Sequence, residues 1–397
     1  MGTLAPSRPT ESRVRLQCYF LRTQPLAETD QMTPSAAPLA NPNVDIPESL
    51  ADRARSAQRA EVHVSSPIRI GILGGGAMGA VHAAAYRAID GVEVVSVFSR
   101  NRERAETVAR ICSAAAVSNA AALLDDLTIE AIDVCLPSAV HPEFVLSALE
   151  RGKHVFCETP FALKLSDARA MIDAAKQYDR VLSVGLLLRS IAEYEHVRQV
   201  AMSQRCGKLM SITAYRLGSY LRASGPDHKK HYTDPTTELM TFDFDFIHWL
   251  MGPPTRLSAT AVTTDGGVAG EISALLDYGD GRSATVLASG VLPDSYTFSA
   301  GFRVLFENGA FELKTLFASE PPESTFRFYP EGGTPEAVAI RGHNPYEKEL
   351  RHFTDCLRGE ADPTLLEGQR ALESLALSLA TQRSLQTRQA VAIDRHL

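Results

Sequence analysis

The sequence predicts an α/β protein, a doubly wound parallel sheet followed by a second domain of hairpin-linked strands. Three observations lead there. A glycine-rich loop stands between a buried-strand pattern and a helix pattern at 68–89. Strand and helix patterns then alternate to about residue 188. Beyond that point, Gly279-Asp280-Gly281 and Asn308-Gly309 punctuate short strands with the residues of tight hairpin turns.

Residues 1–66 are rich in Pro, Ser and Ala and show no sustained period, so they read as a disordered extension. One surface helix is expected at 47–61. The stretch lacks the apolar core of a signal peptide. Arg13, Arg15 and Arg22 hint at a transit peptide, and Glu11, Glu28 and Asp30 count against it.

Residues 67–188 read as a dinucleotide-binding domain. Ile68, Ile70, Ile72 and Leu73 form a short β-branched run, the mark of a buried parallel strand. Gly74, Gly76 and Gly79 follow in GxGxxG spacing, and 77–89 is an Ala-rich helix. Gly74 allows a tight turn, Gly76 lets backbone approach a pyrophosphate, and Gly79 lets helix and strand pack closely. The helix start at Ala77 and Met78 offers free N–H groups and the positive end of a dipole. Further strands are expected at 92–98, 131–136, 154–157 and 181–187. Helices are expected at 102–111, 120–124, 142–151 and 166–178.

The end of the second strand bears on the choice of coenzyme. NAD recognition uses an acid about 20 residues beyond the glycines, on the ribose 2′-OH. Here the chain reads Ser99-Arg100-Asn101-Arg102-Glu103-Arg104, with no acid at the turn. Ser99 can donate a hydrogen bond, and Arg100 or Arg104 can pair with a 2′-phosphate in bidentate fashion. NADP is therefore favoured, with NAD possible. The alternative is a solvated helix start whose arginines face water.

Residues 189–397 read as a substrate and oligomerisation domain. An alternating stretch at 208–220 supplies its first strand, with Tyr215 or Arg216 able to face a cleft. A polar cluster at 227–234 includes His228, His231 and Tyr232. It reads as a solvated loop, or as a segment in which His231 or Tyr232 folds over a substrate. The two histidines lack an arranged acid, so no zinc site is expected. Residues 238–251 form an apolar helix with Asp243 and Asp245 embedded, and buried carboxylates need partners. Strands are expected at 256–264, 272–278, 283–289, 298–306, 310–313 and 326–329, and helices at 345–357 and 366–385.

Composition excludes several classes. Hydrophobic content is 45%, charged content 22% and net charge −7, the profile of a globular protein without a basic nucleic-acid surface. No apolar run is long enough for a membrane span. The six cysteines show no CxxC pair, which fits a reducing, cytoplasmic compartment.

From about residue 68 onward the chain resembles the Gfo/Idh/MocA oxidoreductase family, the group of glucose-fructose oxidoreductase and inositol dehydrogenase. The residues that carry the likeness are the glycine loop followed by His82, then Pro137 and His141, then Gly152-Lys153-His154-Val155 leading to Glu158-Thr159-Pro160. Gly185, Arg189 and the Asp245, Trp249, Leu250, Gly252 segment complete them. The resemblance implies an N-terminal Rossmann domain and a C-terminal α/β domain on an open, mostly antiparallel sheet. It also implies a helix packed back on the first domain and a further subunit against the sheet.

For the site, the resemblance implies that Pro137, His141 and Glu158 lie by the coenzyme, and that Glu158 and Thr159 orient substrate and ribose. Thr159 stands where the family has lysine, and Phe242 where it has histidine. Neither replacement can carry a proton near neutral pH. Asp245 is left as the principal candidate for substrate contact or proton relay, with Glu238 a nearby acid. His82 reads as a packing or hydrogen-bonded histidine. Arg189 either reaches the cleft or caps a strand end.

The implied activity is NAD(P)-dependent hydride transfer to or from a sugar, cyclitol or related hydroxy or carbonyl compound. A catalytically impaired NADP(H)-binding regulator is the alternative, as is an imine or carbonyl reductase with another proton donor.

Overall fold

The computed structural model describes residues 66–219, 221, 234–264, 267–319 and 321–394. The helix expected at 47–61 and residues 227–233 of the polar cluster lie outside them.

The first half is a parallel sheet wrapped by helices. Its elements run β1 (Ile68–Leu73), α1 (Ala77–Arg87), β2 (Val92–Phe98), α2 (Arg102–Cys112), β3 (Ala115–Val117), α3 (Ala121–Leu124), β4 (Ala131–Val134), α4 (His141–Glu150), β5 (His154–Cys157), α5 (Leu165–Gln177) and β6 (Leu182–Val184). The strand order is β3-β2-β1-β4-β5-β6, with every pair parallel. The order reverses direction between β1 and β4, the topological switch point where such sheets bind ligands. Ile70, Ile72, Ile132, Val134, Val155 and Phe156 are fully buried there.

The run expected as a strand at 181–187 pairs only at β6, and Leu187–Ser190 forms a 3₁₀ turn. Its apolar residues are buried between the two halves of the molecule, and burial rather than strand pairing explains their character. β3 is short and largely exposed, so it carries no hydrophobic pattern to read.

The second half begins with α6 (Ala192–Ser203), whose buried stripe Tyr194, Val197 and Val200 is masked in sequence by Glu193, Glu195 and Arg198. Next come β7 (Leu209–Leu217), α7 (Pro235–Glu238) and α8 (Met240–Met251), then β8 (Arg256–Thr263), β9 (Ala269–Asp277), β10 (Ser283–Ser289), β11 (Ser299–Phe306), β12 (Gly309–Leu316), β13 (Glu323–Pro330) and β14 (Glu336–Ala337). The single helix expected at 238–251 is two, broken at Leu239. The chain ends with α9 (Pro345–Leu357), α10 (Gly368–Thr387) and β15 (Val391–Ala392).

The nine strands form one open sheet in the order β14-β13-β12-β11-β7-β10-β9-β8-β15. All neighbours are antiparallel except β7 and β10. Alternate residues such as Ile272, Ala274 and Leu276 on β9 face the helices and are buried. On the other face Leu275, Leu305 and Val262 are exposed.

Two hydrophobic cores divide the chain between Leu187 and Leu188. The first also draws in Tyr346, Leu350 and Phe353 of α9 and Ala371, Leu372 and Leu375 of α10. Helix α10 touches α5 and β6 of the first half and α8 and β8 of the second. Among the described residues no helix is long and apolar enough to cross a membrane.

Candidate active site

The loop after β1 is shaped by what its glycines exclude. A Cβ on Gly79 would overlap the carbonyl oxygen of Gly74, and one on Gly74 (φ +145°) would overlap that of Cys135. At Gly76 a Cβ would meet nothing within 4 Å. Gly76 is also the N-cap of α1 and has no side chain to satisfy the first-turn N–H groups, which include those of Ala77, Met78 and Gly79. Unsatisfied donors, a dipole end and open space together fit a diphosphate.

One side of this cradle is the tip of β2. A Cβ on Gly75 would stand 2.7 Å from the Cβ of Ser99, so the loop and the turn lie in contact. Ser99 Oγ accepts from the Asn101 amide at 3.2 Å, and Asn101 caps α2 by accepting from the Arg104 amide at 3.0 Å. Arg102 is paired with Glu106 at 2.8 Å. Arg100 and Arg104 are exposed and form no ion pair among the described residues.

The other side is built by β4, β5 and the turns that follow them. Pro137 is exposed at the head of the 3₁₀ turn Ser138–Val140. His141, expected beside the coenzyme, lies behind the same turn. Its ring is fully buried, with Nε2 2.7 Å from the Leu136 carbonyl and Nδ1 3.3 Å from the Phe161 carbonyl. Burial lowers its proton affinity, so it is neutral and braces the two loops from behind.

Glu158 and Thr159 follow β5 directly, and the Thr159–Pro160 bond is cis. Glu158 Oε2 accepts from the Thr159 amide at 2.9 Å, and Oε1 lies 2.9 Å from His82 Nε2. A Cβ on Gly185 would come within 3.2 Å of the Glu158 carboxylate, so glycine there keeps room for it. Thr159 Oγ1 is buried without a hydrogen-bond partner among the described residues.

Thr159 borders a small cavity with Leu186, Leu188, Thr241, Phe242 and Asp245. Its volume of about 10 Å³ is near the lower limit for one water molecule. Asp245 is buried and gripped by Arg189, with Nη2 to Oδ1 at 2.7 Å and Nε to Oδ2 at 3.0 Å. Arg189 also donates to the Leu365 carbonyl at 2.9 Å and stacks over Trp249, 5.3 Å from the ring centroid. On the next turn Asp243 pairs with Arg216 at 3.2 Å, and Arg216 covers the Phe242 ring at 4.9 Å. Burial raises the Asp243 carboxyl to about 6 although Arg216 opposes it, and burial with nearby Asp234 raises Glu238 to about 7. Asp245 is therefore hydrogen-bonded by Arg189, whereas Asp243 has Arg216 at ion-pair distance and no hydrogen-bond partner among the described residues.

A larger cavity of about 800 Å³ lies behind Arg189, among Trp249, Arg198, His248 and Arg370. It shares no residue with the small cavity, and the Arg189–Asp245 pair stands between the two.

The structure brings Glu158, Thr159 and Asp245 together at the junction of the two halves, with Ser99, Arg100 and Arg104 at the far end of the glycine loop. Sequence reading passed over Asp133 and Glu349, which surround His82 beneath Glu158. Asp133 left a signal, a charge inside the otherwise apolar run 131–136. Glu349 left none, since a Glu one turn into a helix is ordinary.

Sheet order, glycine loop and a second domain facing the strand ends define a dinucleotide-binding oxidoreductase. Residues 68–186 match the model of the oxidoreductase family with the NAD-binding Rossmann fold, and 194–312 match the GFO/IDH/MocA C-terminal domain. The chain belongs to the GFO/IDH/MocA oxidoreductase family. The myo-inositol 2-dehydrogenase of Thermotoga maritima is 25% identical over 82% of this chain and 99% of its own. The NAD⁺-dependent scyllo-inositol 2-dehydrogenase of Bacillus subtilis is 24% identical over 82% and 96%, and an NADP⁺-dependent one from the same species is 27% identical over 66% and 80%. Among solved structures, the aldose-aldose oxidoreductase of Caulobacter crescentus superposes with a TM-score of 0.72 at 19% identity, covering 82% of this chain and 100% of that one.

Proposed function

We propose that the protein is an NADP-preferring oxidoreductase acting on a sugar, cyclitol or similar polar hydroxy or carbonyl compound. When bound, the coenzyme supplies the hydride chemistry. The chain's own share is to hold, orient and exclude water. The amides around Gly76 take the diphosphate, and Ser99, Arg100 and Arg104 take the 2′-phosphate. Glu158 and Thr159 orient substrate and ribose. The Arg189–Asp245 pair fixes the wall opposite, so Asp245 acts by position and by substrate contact rather than by moving a proton. Pro137 shapes the loop beside the nicotinamide.

The observation that carries this reading is the open space at Gly76, with two exposed arginines nearby that form no ion pair among the described residues. Calorimetry of the purified protein with each coenzyme tests it, and heat with NADP exceeding that with NAD is expected. No heat with either refutes it. A panel of keto-sugars and inososes, followed by loss of reduced-nicotinamide absorbance, then tests turnover.

A second reading has one observation in its favour: Phe242 and Thr159 stand in the cleft and neither can titrate. A coenzyme-sensing regulator would bind NADPH and oxidise none of the panel. Turnover confined to imines would point to the reductase alternative.

The exposed Leu275, Leu305 and Val262 support assembly through the outer face of the nine-stranded sheet. Light scattering should report a dimer or larger species, and Leu275→Glu should shift it toward monomer. Five free cysteines among the described residues support a reducing, cytoplasmic setting.

A further inference from the structure

We propose that Asp133, His82 and Glu158 form a proton relay that opens into the cleft at Glu158 and serves the reaction there. The relay rests on the oxidoreductase reading above. It answers a question that reading leaves open, since Thr159 and Phe242 carry no usable proton and Asp245 is locked by Arg189.

The geometry is a chain from the interior outward. His82, on α1, is fully buried. Its Nδ1 lies 2.8 Å from Asp133 Oδ2 on β4, and its Nε2 lies 2.9 Å from Glu158 Oε1 after β5. Asp133 is fully buried, whereas the Glu158 side chain is 12% exposed. Only the Glu158 end of the chain can meet a substrate. Nδ1 donates to Asp133 in a hydrogen bond, whereas Nε2 lies within ion-pair reach of Glu158 but is not aligned for a hydrogen bond until that carboxyl turns. Set between two acids, the ring is held as an imidazolium.

The groups around it agree. Burial, the largest single influence, lowers the proton affinity of His82, but Asp133 and Cys135 together raise it and the net direction is upward. Cys135 Sγ stands 3.3 Å from Nδ1 and 3.4 Å from Asp133 Oδ1, and burial with Asp133 holds it as a thiol. Glu349, on α9, is fully buried with both oxygens unpartnered among the described residues. Burial and the neighbouring Glu158 push its carboxyl well up, so it stays protonated. Tyr86, on α1 one turn further, is held neutral by burial and by Asp133. The cluster thus sets one cationic ring between Asp133 and Glu158, with Glu349 a neutral acid beside them. Asp133 is a positioning residue: it fixes the ring and keeps Nδ1 protonated while Nε2 exchanges its proton.

The step balances as follows. A bound reduced nicotinamide would supply the hydride, and the chain's own residues supply the proton. In reduction, His82 Nε2 passes its proton to Glu158 once the Glu158 carboxyl turns toward it, leaving a neutral imidazole that still donates to Asp133, and Glu158 hands that proton to the carbonyl oxygen. Water at Glu158 restores the lost proton. Oxidation runs the same steps backward.

Two measurements decide. In the free protein, nitrogen-15 spectra of labelled histidine should show the His82 imidazolium persisting well above the ordinary midpoint near 6.5. Glu158→Gln and Asp133→Asn should each lower that midpoint by about one pH unit or more. In turnover, Glu158→Gln should cut kcat by about 100-fold or more. The alkaline fall of kcat should move in Asp133→Asn by the same interval as the resonance, which a merely structural cluster would not produce. Should Asp133→Asn fail to fold, the isosteric Glu158→Gln at the cleft edge still decides. A neutral His82 at pH 7 overturns the relay, as does full turnover by Glu158→Gln. Coenzyme binding without hydride transfer by the unaltered protein removes the oxidoreductase reading instead, and the histidine resonance alone then judges the relay.

Discussion

Gly76→Ala separates binding from folding in a single methyl group. The backbone at Gly76 has φ −88° and ψ −168°, an extended conformation that alanine adopts freely. The added Cβ meets nothing within 4 Å. Two small terms then oppose each other. Loss of chain freedom in the unfolded state stabilises by about 0.4–1 kcal/mol. Replacing glycine by alanine at an N-cap costs a similar amount, up to about 1 kcal/mol. Tm should stay within about 2 °C of the starting protein. The methyl instead fills the space that the diphosphate must occupy, and overpacking of that kind costs about 1–3 kcal/mol, or about 5- to 100-fold in affinity. Gly79→Ala is the contrast. Its Cβ overlaps the Gly74 carbonyl, a main-chain atom that cannot swing aside, so Tm should fall together with affinity. Calorimetry with NADP and a thermal melt measure the two quantities. A Gly76→Ala protein that binds within twofold of the original, or that melts early, refutes the assignment of this space to phosphate.

Three further predictions follow from other parts of the site. Arg100→Ala and Arg104→Ala should each weaken NADP about tenfold, the scale of one charge-assisted bond, while NAD affinity stays within about twofold. Parallel loss of both coenzymes would mean the arginines shape the loop instead. Asp245→Ala leaves the Arg189 guanidinium buried and uncompensated and should destabilise by about 3–5 kcal/mol in denaturant melts, whereas Glu106→Ala, which breaks the exposed Arg102 pair, should be silent. Stability should also fall as pH rises from 7 to 9. His82 and Glu349 both hold protons more tightly when folded than their ordinary values of 6.5 and 4.5, so the native state binds more protons across that window and loses its advantage as they leave. The lowered histidines His141, His154, His196 and His352 have largely finished titrating by then, and Lys153 works in the opposite sense. A Tm at pH 9 about 2–4 °C or more below that at pH 7 is expected, and a flat or rising profile contradicts it.

The parallel half was legible because its signals are local. β2 and β5 match their expected bounds, since a short apolar run ended by turn residues admits few other readings. The glycine loop was legible for the same reason, as each glycine answers a contact within a few residues. What stayed hidden depends on distant partners. Leu186 and Leu187 read as strand because the sequence shows their apolarity but not the second domain that buries them. Arg189 was left between two roles until Asp245, 56 positions away, came into contact. His141 matches the family motif at its position, yet only the fold shows that carbonyls from Leu136 and Phe161 enclose its ring. Glu349 is the extreme case, an unremarked helix residue whose neighbours His82 and Glu158 come from the far end of the chain.

The reach of α10 across both cores has a consequence for synthesis on the ribosome. Leu366, Ala371, Leu372 and Leu375 complete the packing around the parallel sheet, and the Leu366 carbonyl accepts from the Val184 amide at 2.8 Å along its outer margin. The emerging polypeptide makes every strand of that sheet early, then has to wait for some 180 more residues before the last apolar side chains arrive. During that interval the margin beside Val184 is bare, and the nascent domain depends on chaperones or on speed to avoid pairing with a neighbour.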